Sequence, residues 1–100
     1  MNNKKKSILQ DSKDYCFLCG SECNRLDKHH VFGASNRNKS EQYGLFVWLC
    51  HDSCHIFGKD SVHKNAAVAN ELKVMAQSKA MEKYEWNVED FIRIFGKNYI

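Results

Sequence analysis

Metal-binding side chains constrain this chain more than any other feature: five cysteines, at positions 16, 19, 23, 50 and 54, and five histidines fall within 100 residues. A chain of this length buries a modest core, and small domains usually make up the deficit with disulfides or a structural metal. The odd number of cysteines argues against a closed disulfide set. The opening stretch, MNNKKKSILQDSKD, carries a basic run but no apolar segment long enough for a signal peptide, and nothing later approaches a membrane span. A cytoplasmic, reducing setting is therefore expected, in which paired thiols read as metal ligands.

Cys16 and Cys19 form a C-x2-C pair, the spacing that lets two thiolates on one tight turn reach a single tetrahedral ion. The other half of a structural Zn2+ site is expected from CHDSCH, residues 50–55. That segment offers Cys50 with Cys54, favoured because thiolates bind zinc well, or His51 with Cys54, which has the commoner spacing. Spacing alone leaves both open, and Cys23 is left as the spare thiol. Buried free cysteines are common small core residues, yet two paired clusters in one short chain speak for ligation.

Residues 1–13 are polar and aperiodic and read as a flexible basic tail, followed by one domain over 14–100. The cysteine spacing around Gly20 predicts a knuckle turn over 15–24, and residues 25–32 a short strand. Residues 34–44 read as a loop with one helical turn at Ser40–Tyr43, stopped by Gly44. LFVWL, 45–49, is a continuous apolar run of strand length, expected to pair antiparallel with the first strand. From Ser61 to about Tyr84, Val68, Leu72, Met75, Ala76 and Ala80 recur at helical spacing. NVEDFIRIFG predicts a short helix, with Asn87 as N-cap and Gly96 as stop, burying Phe91, Ile92 and Phe95. The expected fold class is thus α+β: a hairpin whose two chain ends are clamped together by zinc, a long helix and a short C-terminal helix. Trp48 and Trp86 are expected to be packing residues.

The net charge of +3 is mild, but the cations cluster at Lys4, Lys5 and Lys6 and again at Arg37 and Lys39, which permits a polyanionic partner. His29 and His30 on one side of the hairpin, and His55 and His63 on the other, would be drawn together by the zinc staple. Clustered imidazoles beside a basic loop suit a second metal and a general base.

The order of these parts resembles the HNH endonuclease family: C-x2-C, then His-His at the end of a strand, an apolar strand, and a Cys- and His-rich segment opening a helix. SNRNKSEQYGL and EDFIRIFGKNYI are also similar to small HNH-type proteins encoded by bacteriophages. The resemblance runs from about Cys16 to the C-terminus and is strongest in the HH pair taken with both knuckle halves. It implies a ββα-metal (His-Me finger) fold that hydrolyses phosphodiester bonds in DNA, leaving 5′ phosphate and 3′ hydroxyl ends, in a bacterial host cell or encoded by a phage. Carried over, His29 is a ligand of the catalytic divalent cation, which could be Mg2+, Mn2+ or another transition metal, and His30 is the general base. His55 and His63 compete for the second histidine-ligand position.

A neutral imidazole, with an ordinary pKa near about 6.5, can take a proton from water near neutral pH. The family's middle asparagine is missing where Tyr43, Gly44 and Leu45 stand, so Asn36 is the candidate to fix the base histidine or its loop. Arg37 and Lys39 are candidate DNA-phosphate contacts. Neighbours on a regular strand face opposite ways, so for His29 and His30 to serve one phosphate a kink or bulge is expected near His30 or Gly33. The competing reading is a zinc-stabilised nucleic-acid-binding module without catalysis, and a third is a redox sensor acting through Cys23. No membrane partner is expected. A second copy, meeting through the C-terminal helix, or a phage or host protein is left open.

Overall fold

The computed structural model describes residues 6–56, 58 and 61–100, Ser53 by its backbone alone. Lys4 and Lys5 of the basic run lie outside the described residues. Strand β1, Leu26–His30, pairs antiparallel with β2, Phe46–Cys50, from Leu26 opposite Cys50 to His30 opposite Phe46. The continuous apolar run of β2 is buried apart from the half-buried Trp48, whereas every residue of β1 is only half buried. Polar side chains of β1 are thereby held at a rim, where they can do chemistry.

The first strand stops two residues earlier than its pattern suggests. Phe32 leaves the ladder because buried Ser40 satisfies both of its backbone groups: the Phe32 amide donates to Ser40 Oγ at 3.1 Å, and that hydroxyl donates to the Phe32 carbonyl at 2.6 Å. A short 3-10 turn, Ala34–Asn36, leads into helix α1, Arg37–Tyr43, which is longer than the single turn expected. Gly44 ends it in the left-handed conformation, φ 75°. A Cβ at that position would lie 2.6 Å from the Lys6 carbonyl oxygen, so glycine is required by close approach as well as by backbone angle.

That approach reflects a segment the sequence reading assigned to the tail. The Ile8 amide donates to the Gly44 carbonyl at 2.9 Å, and Ser7 Oγ donates to the Phe46 carbonyl. Gln10, which is buried, accepts from the Trp48 amide at 2.8 Å and donates to the Tyr15 carbonyl at 2.7 Å. In an antiparallel pair alternate residues of β2 turn their backbone groups away from β1; Ser7 and Gln10 meet two of these, and the Phe17 amide donates to the Trp48 carbonyl at 2.8 Å.

Helix α2, Ala66–Tyr84, begins at an Asn65 cap whose side chain accepts from the Ala67 and Val68 amides, so residues 61–65 stay outside it. It buries Leu72, Ala76 and Ala80 on one stripe, with Val68 and Met75 partly buried beside them. Buried Gln77 is satisfied by Asn98 Oδ1 at 2.8 Å and by the Tyr99 amide at 2.7 Å, pinning the C-terminus to α2. Helix α3, Val88–Phe95, starts with the Asn87–Asp90 capping box and stops at Gly96. Phe91 and Phe95 are buried, but Ile92 is 39% exposed; residues four apart share a face and the next residue lies about 100° round it. Phe32 joins the halves of the core, with ring centroids 5.4 Å from Phe91, 4.8 Å from Phe95 and 5.3 Å from Tyr99. Trp86 packs 4.9 Å from both Tyr43 and Tyr84. No helix among the described residues is long and apolar enough to cross a membrane.

Candidate metal centres

The fold is a small α+β unit in which metal-binding side chains form three groups among the described residues: four cysteines, the trio His29, His55 and His63, and Asp27 with His51 and His55, which shares His55 with the trio. The first is the knuckle. The chain turns at Gly20, φ 75°, where the Gly20 amide donates to the Cys16 carbonyl at 2.8 Å and the Cys19 amide points at Cys16 Sγ, 3.5 Å away. Hydrogen bonds from Ser21 lower the Cys19 thiol to about 7, which favours the ligating thiolate.

Cys50 ends β2, and a π-helical turn, His51–Ile56, carries Cys54 back to the knuckle. The sulfurs of Cys16, Cys19, Cys50 and Cys54 all lie within 4.8 Å of one another, a group able to hold one metal ion. Cys19 and Cys50 sulfurs stand 3.6 Å apart, close to the separation of about 3.8 Å that tetrahedral ligation with Zn–S bonds of about 2.3 Å requires. Between the two ligand sets the spacing left open, Cys50 is the member that joins this group; His51 turns instead to Asp27. Cys23 is no remote spare thiol, because its sulfur is in bonding contact with that of Cys50, their Cα atoms 5.7 Å apart. Cys50 therefore has two mutually exclusive uses: a disulfide with Cys23, or the fourth thiolate beside Cys16, Cys19 and Cys54.

The second place is a histidine trio. Alternation along β1 sends Asp27 and His29 to one face and Lys28 and His30 to the other. On the first face His29 meets His55, from the π-helical turn, and His63, from the turn before α2, with ring centroids 5.2 and 6.0 Å away. The ligand nitrogens of the three lie within 4.8 Å of one another, and His55 Nε2 is 3.2 Å from His63 Nε2. Tetrahedral ligation at about 2.0–2.1 Å would separate nitrogens by about 3.4 Å, so the trio needs little adjustment to share an ion. Burial, and then the neighbouring charges of His55 and His63, lower His29 to about 4; it is neutral at pH 7, the form that ligates. The structure thus brings both His55 and His63 to His29 instead of choosing between them.

His30 has other neighbours. Its Nε2 lies 2.8 Å from Glu41 Oε1 on α1, and Lys28 Nζ reaches both oxygens of the same carboxylate at 3.1 and 3.2 Å. Burial alone would raise the Glu41 carboxyl, but hydrogen bonds from His30 and Lys28 bring it below its ordinary value. A carboxylate only accepts, so a neutral His30 bonded to it keeps its proton on Nε2 and its lone pair on Nδ1. The strand is regular through both histidines, and the expected kink falls later, where Ala34 takes φ 51°. The rings diverge, yet His29, His30, His55 and His63 all line one cleft of about 440 Å3 at the end of the strand, together with Lys28 and Arg37.

The remaining candidates lie elsewhere. Asn36 Nδ2 donates to the Phe95 carbonyl at 2.9 Å and Lys39 Nζ to the Ile94 carbonyl at 2.6 Å. Both cap the C-terminus of α3, where carbonyls lack helical partners and a cation suits the dipole. The partner of His30 is Glu41, not Asn36. Two residues of the site carried no motif: Glu41, distant in sequence from His30, and Asp27, whose carboxylate meets His51 and His55. The period-two alternation of β1 does place Asp27 on the His29 face, which is the only signal that could have found it. The chain matches no protein-family model, no curated protein and no solved structure.

Proposed function

We propose that the chain is a divalent-metal-dependent DNA endonuclease of the HNH type, in which β1, β2 and the turn carrying His55 form a ββα-metal unit stapled by zinc on Cys16, Cys19, Cys50 and Cys54. One observation carries this reading: three histidine rings able to share an ion border the same cleft as a fourth whose Nε2 is held by Glu41. His29, His55 and His63 would hold the cation. Three imidazoles suit a borderline transition ion better than Mg2+, which prefers oxygen ligands. When bound, the ion supplies positive charge for the scissile phosphate and the leaving 3′ oxygen.

The chain's own groups do the rest. Glu41 holds His30 in the tautomer whose Nδ1 accepts a proton from water, and Lys28 keeps that carboxylate charged and in place. Arg37, exposed on the cleft wall, meets a neighbouring phosphate and orients the backbone without reading sequence. A second reading has its own support, because His30 is turned to Glu41 and away from the trio: a metal-stapled module that binds nucleic acid and cuts nothing. Supercoiled-plasmid nicking separates the two. The zinc-loaded chain should nick with added Mn2+, Ni2+ or Co2+, and His30→Ala, with its zinc retained, should not. Nicking equal in both proteins removes His30 as the base, and nicking by neither with any metal leaves the binding module standing.

A further inference from the structure

Asp27 lies two residues before His29 on β1, opposite Leu49, and so shares the face of the histidine trio. Its carboxylate is fully engaged. Arg25 Nε approaches Oδ1 at 3.4 Å, while Oδ2 receives both His51 Nδ1 and His55 Nδ1, the latter at 3.0 Å. The group is half buried.

The chemistry of that oxygen decides the state of His55. A carboxylate accepts and never donates, so a neutral His55 bonded to it keeps its proton on Nδ1 and its lone pair on Nε2. Nε2 is the atom that faces Nε2 of His63 and belongs to the ligand cluster with His29. The local chain makes this arrangement natural. Cys54 follows Cys50, the last residue of β2, by four positions, and His55 follows His51 by four within the π-helical turn. One side of the turn gives its thiols to the cysteine group while the adjacent side gives both imidazoles to Asp27.

We propose that Asp27 is the positioning residue of the histidine metal site: by accepting from Nδ1 of His55 it fixes the tautomer and tilt of that ring, presents Nε2 to the ion, and strengthens it as a donor. The inference rests on the metal-site half of the function proposed above and not on DNA cleavage.

Two measurements on the full zinc-loaded chain test it. In calorimetric titration with Ni2+, Asp27→Asn should bind the second ion about ten- to a hundred-fold more weakly than the wild type, Asp27→Ala at least as weakly, and Asp27→Glu should recover part of the loss. Cysteine-bound zinc and the circular dichroism spectrum should not change. In the unsubstituted, nickel-free chain, long-range 15N–1H correlation should show His55 as the Nδ1–H tautomer. Wild-type affinity in Asp27→Asn, or an Nε2–H tautomer for His55, overturns the proposal. A wild-type chain that takes up no second ion overturns the metal-site reading and this inference with it, whereas equal uptake by the variants overturns this inference alone.

Discussion

Replacing Cys54 by serine should uncouple the fold from zinc, whereas replacing Cys23 by serine should not. Cys54 is one of the four sulfurs that can share an ion, whereas Cys23 is not of that group and its sulfur meets that of Cys50. The sheet that the cysteines bracket has two strands, an arrangement marginal without further support. A domain of this size is stable by about 5–15 kcal/mol in all. Zinc buffered about 1,000-fold above its dissociation constant adds about 4 kcal/mol by mass action, and at about 4–8 °C per kcal/mol that is a rise in Tm of about 15–30 °C. Thermal unfolding in zinc-buffered, reducing solution, with metal content measured on the same samples, reads the effect. The wild type and Cys23→Ser should show the full rise and one equivalent of tightly held zinc, and Cys54→Ser should lose most of both. A Tm indifferent to free zinc would refute the structural-metal reasoning. A loss in Cys23→Ser equal to that in Cys54→Ser would make Cys23 the fourth ligand.

Phe32→Ala should cost about 3–5 kcal/mol in urea unfolding, because the ring links β1 to Phe91, Phe95 and Tyr99; a cost under about 1 kcal/mol would mean that these elements do not pack through it. Asn36→Ala should lower stability by about 1 kcal/mol through the lost Phe95 bond, and leave nicking by the folded protein within about two-fold of wild type, a change of about 0.4 kcal/mol in barrier. A catalytic asparagine would instead cost orders of magnitude in rate. The metal-free chain should lose stability as pH falls from about 6.5 toward about 4, because His29 is lowered to about 4 from 6.5 and the unfolded state binds the extra proton in that window. The loss is at most about 3 kcal/mol, is absent above pH 7, and should shrink in His29→Gln when both proteins are unfolded by urea at pH 7 and pH 5; equal slopes would contradict it.

The hairpin, the long helix α2, the short helix α3 and the pairing of Cys16 and Cys19 with a later cluster are legible because their signals are local: an apolar run, helical spacing, an asparagine cap, a two-residue gap between thiols. The choice between Cys50 and His51 is not, since consecutive residues at the end of β2 turn to different neighbours and only the path of the chain says which meets the knuckle. Ser40 ending β1, Gln10 completing the edge of β2, and Glu41 beside His30 are long-range hydrogen bonds made by ordinary polar residues, and nothing in their immediate sequence marks them. Asn36 and Lys39 lie in the segment between the strands, near the histidines in sequence, yet their partners are the last carbonyls of α3. Ile92 shows the limit of reading an apolar cluster without its face.

The division of labour in the HH pair is tested most directly by single-turnover cleavage of duplex DNA, using chains carrying equal amounts of zinc and of the second ion. His30→Ala should retain both ions and cut about 10²–10⁴-fold more slowly, the usual contribution of a general base, while His29→Ala should lose the second ion. Cleavage by His30→Ala at the wild-type rate, with His29→Ala still holding its ion, would contradict both assignments.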